Sequence, residues 1–238
     1  TDKTKGLLIC NPNNPTGYVY TADEMEKIRL LVKKYNLYLF SDEVYREFIY
    51  SDDPYISACH LEGIDDNVVL IDSVSKRYSE CGIRIGCLIT KNKKLHDTVM
   101  KFCQARLSPP LIGQIAANAS LDADDEYMRT NFEEYKMRRD YLIERLNRIP
   151  GVFAPTPMGA FYTVASLPVE DADDFCAWCL SDFQYENQTI FLAPASGFYI
   201  TPGRGKNEVR FAYVLNRNDL DKALTVLEKA LEAYLNIN

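Results

Sequence analysis

The sequence predicts an α/β fold whose first half is built on a mostly parallel sheet, followed by a smaller α+β part. Three observations carry this expectation. Four short apolar runs, residues 7–10, 37–40, 68–71 and 85–89, have no polar interruption, as strands covered on both faces do. Between the first two runs lies a stretch of helical periodicity, which makes a strand, a helix and a parallel strand in succession. From residue 94 onward the pattern turns helical and then alternates short strands with helices.

Each element has its own local reason. The first helix opens at Thr21-Ala-Asp-Glu24, a capping box, and continues with Met25, Ile28, Leu31, Val32 and Tyr35 at helical spacing. The connection over residues 42–67 is irregular, with room for a short helix. Helices are predicted over 95–105 and 111–121, then over a long amphipathic stretch, 126–148, that stops at Ile149-Pro150-Gly151. Strands at 161–164, 190–193 and 209–213 and helices at 173–183 and 219–235 complete the chain. The predicted division is therefore a large domain over 1–123, an interdomain helix over 124–150 and a small C-terminal domain over 151–238.

Composition narrows the function. The chain has 238 residues, 47% hydrophobic and 26% charged, which suffices for a sizeable core. A net charge of -7 without any Lys/Arg run gives no attraction for nucleic acid or an anionic membrane surface, so small-molecule chemistry is expected. No apolar stretch approaches the roughly 20 residues of a membrane span, and no signal-peptide pattern is present, so a soluble, cytoplasmic protein is expected. The seven cysteines are an odd number scattered among apolar neighbours, as reduced core thiols are. Cys176-Ala-Trp-Cys179 resembles a redox pair in spacing, but it falls inside a predicted helix and does not open one after a strand. His60 and His96 are isolated, and no metal site is expected.

Four polar stretches break the apolar pattern, and all are read as following strand ends, where open α/β sheets bind ligands. They are Asn11-Pro-Asn-Asn-Pro-Thr-Gly17, Ser41-Asp-Glu-Val-Tyr45, Asp72-Ser-Val-Ser-Lys-Arg-Tyr78 and Asn207-Glu-Val-Arg210. Each has a plain structural explanation when taken alone. The first is rich in turn formers, the second offers a helix N-cap at Ser41 or Asp42, the lysine of the third suits solvent, and Arg210 suits an edge strand beside Glu208.

Together and in this order they resemble a known family. NPNNPTG at 11–17, SDEVY at 41–45, SVSK at 73–76, GIRIG at 82–86, GAFY at 159–162 and EVRFAY at 208–213 are similar to the C-terminal part of fold-type I pyridoxal 5'-phosphate (PLP) aminotransferases of class I/II, the aspartate aminotransferase group. The spacings agree as well, with 28 positions from Asn14 to Asp42 and 34 from Asp42 to Lys76. The resemblance implies a three-layer αβα large domain, present in part, and a smaller α+β domain.

It also implies roles. Lys76 would be the catalytic lysine, attached covalently to PLP and then moving a proton between the substrate α-carbon and the cofactor. That role needs a neutral amine, although a free lysine titrates near 10.4. Asp42 would pair with the pyridine nitrogen, keeping it protonated. Tyr45 and Asn14 would hydrogen-bond the phenolic oxygen, and Arg84 with Ser73 and Ser75 would hold the phosphate. Arg210 would receive the substrate α-carboxylate through a bidentate fork, with Asn14 beside it.

Where many relatives have Gly-Trp-Arg, this chain has Gly82-Ile83-Arg84. The family's N-terminal half, with its phosphate loop, stacking aromatic and a tyrosine from the partner subunit, has no counterpart here. The chain is thus expected to be a fragment of a homodimeric enzyme and inactive by itself. By resemblance alone the expected substrates are aspartate and 2-oxoglutarate. Arg106 is a candidate for the distal carboxylate, although an arginine at a helix end more often caps it. A C-S lyase, an alanine or aromatic aminotransferase, or the aminotransferase-like sensor domain of a transcription regulator would keep the same residues.

Overall fold

The structure, a computed structural model, describes residues 1–237. The chain forms two compact units. One comprises Thr1–Asn13, Tyr18–Phe132 and Met158–Ala160, and the other Asn14–Gly17, Glu133–Pro157 and the chain from Phe161 onward.

In the first unit, strand β1 (Gly6–Cys10) leads through helix α1 (Ala22–Tyr35) to β2 (Tyr38–Asp42). The Thr21–Glu24 capping box is formed in full, with each side chain accepting from the other's backbone N–H. Strand β3 (Val68–Ser73), helix α2 (Val74–Arg77) and β4 (Gly86–Ile89) follow. The sheet order is β1-β2-β3-β4, with β1, β2 and β3 parallel and β4 antiparallel to β3. Cys10 pairs with Asp42 and Asp42 with Ile71, so the carboxyl ends of the three parallel strands lie side by side. The irregular 42–67 connection holds two short 3-10 turns, Ala58–His60 and Asp65–Asn67.

The core of this unit is Ile9, Met25, Val32, Leu39, Ala58, Leu61, Ile64 and Val68. Helix geometry explains which apolar residues of α1 join it. At about 100° per residue, Val32 lies close to the bearing of Met25, and both are fully buried, while Leu31 and Tyr35 have rotated away and are 46% and 57% exposed. The expectation that the strands are covered on both faces holds for β3 only. Leu8 is 74% exposed beside buried Ile9, and β4 is exposed along its whole length. An unbroken apolar run reports how much covering a strand requires, and the described residues supply that covering on one side.

Helices α3 (Lys93–Arg106) and α4 (Leu111–Ala119) complete the first unit, and α5 (Asp125–Leu146) runs from the first into the second.

The second unit holds an antiparallel sheet of order β5-β7-β6, formed by β5 (Tyr162–Ser166), β6 (Ala193–Pro194) and β7 (Glu208–Ala212), with helices α6 (Ala172–Ser181) and α7 (Arg217–Ile237). Leu142 and Leu146 of α5, Phe175 and Cys179 of α6, Val209 and Phe211 of β7, and Leu220, Leu224 and Leu227 of α7 form its core. The strand expected over 190–193 shrinks to two residues. Pro194 has no N–H for a ladder, and Phe191 stays 82% exposed.

Candidate functional site

The first unit brings three of the expected residues to neighbouring strand ends. Asp42 closes β2, Tyr45 lies in the turn after it, and Lys76 lies on α2, directly after β3. Extra backbone bonds from Asn11 N to Asp42 O (2.9 Å) and from Glu43 N to Ile71 O (3.0 Å) carry the parallel ladder past the strand ends and fix these loops to one another.

Asp42 is half-buried and accepts one hydrogen bond, from Val44 N to Oδ1 at 3.2 Å. It forms no ion pair within 4 Å among the described residues. Burial pushes its pKa up from the ordinary value, the nearby carboxylates of Asp72 and Glu43 push the same way, and the Val44 N–H and the Lys76 ammonium act against them. Lys76 Nζ lies 5.6 Å from the ring centroid of buried Tyr45, and no hydrogen bond or ion pair occupies it among the described residues. Asp42 makes the local bond of a turn cap, to the N–H two residues on, yet forms no ion pair among the described residues, and Lys76 is half-buried where a solvated lysine would be exposed.

Ser73 caps α2, its Oγ accepting from Ser75 N at 3.3 Å. Arg84 is exposed, has a left-handed backbone (φ 60°), and donates from Nη1 to Cys81 O at 2.7 Å. Its bonded partner is therefore its own turn, and neither serine is bonded to it.

Sequence reasoning missed a cluster beside Asp42. Asp72 Oδ2 lies 2.7 Å from Arg46 Nη1 and 3.4 Å from Arg77 Nη2, and Arg77 Nε lies 3.1 Å from Glu47 Oε1. The Asp72 side chain is only 12% exposed, and its other oxygen accepts from Ser73 N at 2.8 Å. The signal was present in the sequence, since Arg46 follows Tyr45 and Arg77 follows Lys76. Neither spacing shows that the two arginines meet at one carboxylate.

The asparagines of the first motif divide their tasks. Asn11 is buried and accepts from Tyr20 N at 3.1 Å, and Asn13 Nδ2 donates to Cys10 O at 3.5 Å, so both serve the local backbone. The glycine of GAFY has a packing reason, because a Cβ on Gly159 would lie 2.8 Å from Pro12 Cβ and 2.9 Å from Phe48 O.

Asn14 belongs to the second unit, where its Oδ1 accepts from Arg210 Nη1 at 3.1 Å. Arg210 stands on β7, the central strand of its sheet, and Glu208 is occupied by Tyr199, whose OH donates to it at 2.6 Å. An edge-strand arginine paired with Glu208 is therefore excluded. The Arg210 Cζ is instead 4.9 Å from the Tyr162 ring centroid and 5.4 Å from that of Phe198.

The remaining candidates are placed as follows. Arg106 is exposed in the last turn of α3. Cys176 and Cys179 are buried one turn apart on α6, and burial pushes their thiols up to about 11 and about 12, which keeps them protonated and unreactive at neutral pH. Among the described residues no group of three His, Cys, Asp or Glu could hold a metal ion, and no helix is long and apolar enough to cross a membrane.

The first unit is thus of the open α/β kind, with acid, phenol and amine at the carboxyl ends of its parallel strands, and the second carries a guanidinium held on a central strand. The chain belongs to the family of class I and II aminotransferases, whose family model matches residues 1–227. It is 34% identical over 233 residues to an aspartate aminotransferase of Thermotoga maritima, covering 97% of this chain. Among solved structures, an aromatic aminotransferase of Pyrococcus horikoshii matches with a TM-score of 0.86 at 28% identity, over 98% of this chain and 61% of that one. An alanine aminotransferase of Pyrococcus furiosus matches with a TM-score of 0.83 at 29% identity, over 98% and 59%. The chain spans 57% of the length of the Thermotoga relative. Enzymes of this family depend on PLP.

Proposed function

We propose that this chain forms the larger part of a PLP-dependent aminotransferase that moves an amino group between an amino acid and a 2-oxo acid, with aspartate and 2-oxoglutarate as the first pair to test. The observation that carries this reading is the pair Asp42 and Lys76, an unpaired carboxylate and an unpaired amine at adjacent strand ends of one unit. The donor set fits the cofactor. Asp42 retains acceptor capacity for a protonated ring nitrogen, and Lys76 Nζ is free to react with a carbonyl.

When bound, PLP supplies an electron sink for the electron pair left as the substrate's α-proton departs. The chain's own residues do the rest. Asp42 holds the ring nitrogen in its cationic form. Lys76 Nζ, once neutral, takes the proton from the α-carbon and returns it at the other end of the transfer. Tyr45 and Asn14 donate toward the phenolic oxygen. Ser73, Ser75 and Arg84 serve the phosphate, and Arg84 keeps donors for it, since only one of its five N–H groups is engaged with Cys81. Arg210 receives the α-carboxylate. The reading includes a homodimer in the cytoplasm, as the family resemblance implies.

Borohydride reduction of the full-length protein with PLP tests this directly. The peptide containing Lys76 carries the pyridoxyl mass, and labelling at another lysine, or none, overturns the assignment. Because solved relatives named for aromatic and alanine transfer match as well as aspartate enzymes do, the amino donor is a separate question.

A further inference from the structure

Phe198 is 46% exposed at the end of a 3-10 turn, Ser196–Phe198, between β6 and β7. Its ring therefore has a side open to solvent and a side against the protein. That side faces Arg210, whose guanidinium carbon lies 5.4 Å from the Phe198 centroid and 4.9 Å from that of Tyr162. Both distances are within the roughly 6 Å over which a ring quadrupole attracts a cation.

The segment carrying Phe198 is itself tied down. Ala195 N donates to Glu208 O at 2.8 Å, Ser196 Oγ to Asp173 Oδ2 at 2.6 Å, and Tyr199 OH to Glu208 Oε2 at 2.6 Å. Gly205 admits the Tyr199 ring, since a Cβ there would lie 2.5 Å from it, and its φ of +70° suits glycine. Glu208 is two residues from Arg210 on the same strand, so the carboxylate that anchors the loop and the cation under the ring share one rigid element.

We infer that Phe198 and Tyr162 are positioning residues that hold the Arg210 guanidinium, so that the aromatic pair, together with Asn14, sets how tightly a substrate carboxylate is received. This rests on the reading of Arg210 as the carboxylate receptor. An arginine on a flexible stem loses rotamer freedom when it grips a carboxylate, and one already held between a ring pair and an amide oxygen has lost much of it beforehand. The bond to Asn14 engages only Nη1, and the guanidinium's other donors are those that a bidentate fork uses.

The test uses the full-length, PLP-loaded protein and maleate, a dicarboxylate without an amino group, with affinity measured by calorimetry. Phe198→Leu, which keeps apolar bulk but removes the quadrupole, weakens maleate binding about three- to tenfold. Phe198→Tyr restores it to within about twofold of wild type. In steady-state assays of Phe198→Leu the KM for the amino donor rises by the same factor with kcat little changed, as for a contact made equally in ground and transition states. Should Phe198→Leu lower the melting temperature, Tyr199→Phe provides a second variant. It removes the loop's side-chain bond to Glu208 while leaving both rings in place, and weakens maleate in the same direction.

Unchanged maleate affinity in Phe198→Leu, with affinity abolished in Arg210→Gln, overturns the positioning role alone. Unchanged affinity in Arg210→Gln overturns the reading of Arg210 and the positioning role with it.

Discussion

Asp42 pays for its place at the end of β2 whenever nothing cationic sits against it. Burial and the charges of Asp72 and Glu43 raise its pKa in the cofactor-free protein. A carboxyl whose folded-state pKa is raised stabilises the fold below its unfolded value, near 3.9, and that contribution is lost as pH rises through the folded value. Asp42→Asn is therefore expected to melt about 2 °C above the cofactor-free wild type at pH 7, with the difference vanishing below about pH 4. With PLP the order reverses in function, and kcat of the variant falls by about two to three orders of magnitude. Thermal melts across pH and a turnover assay check the two halves. A variant no more stable at pH 7 would contradict the account of Asp42. The residue types at this position were legible in the sequence because Asp42, Tyr45 and Lys76 lie in polar stretches within five positions of the end of an apolar run. The lack of a partner on Asp42 and Lys76 was not, since it depends on what neighbouring loops leave empty.

Among the elements, the loops after β2 and β3 are joined by Asp72 with Arg46 and Arg77. Removing the central acid leaves two partly buried cations, whose side chains are 27% and 18% exposed, with the more exposed Glu47 as their remaining counter-ion. Asp72→Ala is expected to destabilise the fold by about 2 kcal/mol, measured by urea unfolding, and Asp72→Asn by less, because the Ser73 N–H keeps its acceptor. Losing the Asp72 charge also lowers the Asp42 pKa, so the acid-side gain in stability predicted above shrinks in this variant. The capping box and the order of strands could be read from local sequence, because caps and apolar runs are local signals. The antiparallel pairing of β4 and the arginine cluster could not, because each is decided by a neighbour elsewhere in the chain, whereas the loss of the strand at 190–192 had a local signal in Pro194. The apolar positions of α1 were all readable as helical, yet only rotation about the axis separates buried Met25 and Val32 from exposed Leu31 and Tyr35.

For the molecule as a whole, the substrate is the open quantity. In the role proposed for it, Arg210 would receive any α-carboxylate, which would fix the class of substrate and leave the side chain unread. A panel of amino donors on the full-length protein is expected to rank aspartate first by at least about tenfold in kcat/KM over alanine and phenylalanine. A ranking led by phenylalanine or alanine would move the assignment to the aromatic or alanine branch while leaving the roles of Lys76, Asp42 and Arg210 unchanged.

The bond between Asn14 and Arg210 joins residues 196 positions apart. At about 5–20 residues per second of synthesis, Asn14 is made about 10–40 s before its partner exists. The pair of Asn14 and Arg210 is thus completed only once β7 has been made. A nascent chain stopped short of β7 would carry Asp42 and Lys76 without the arginine proposed to receive the substrate.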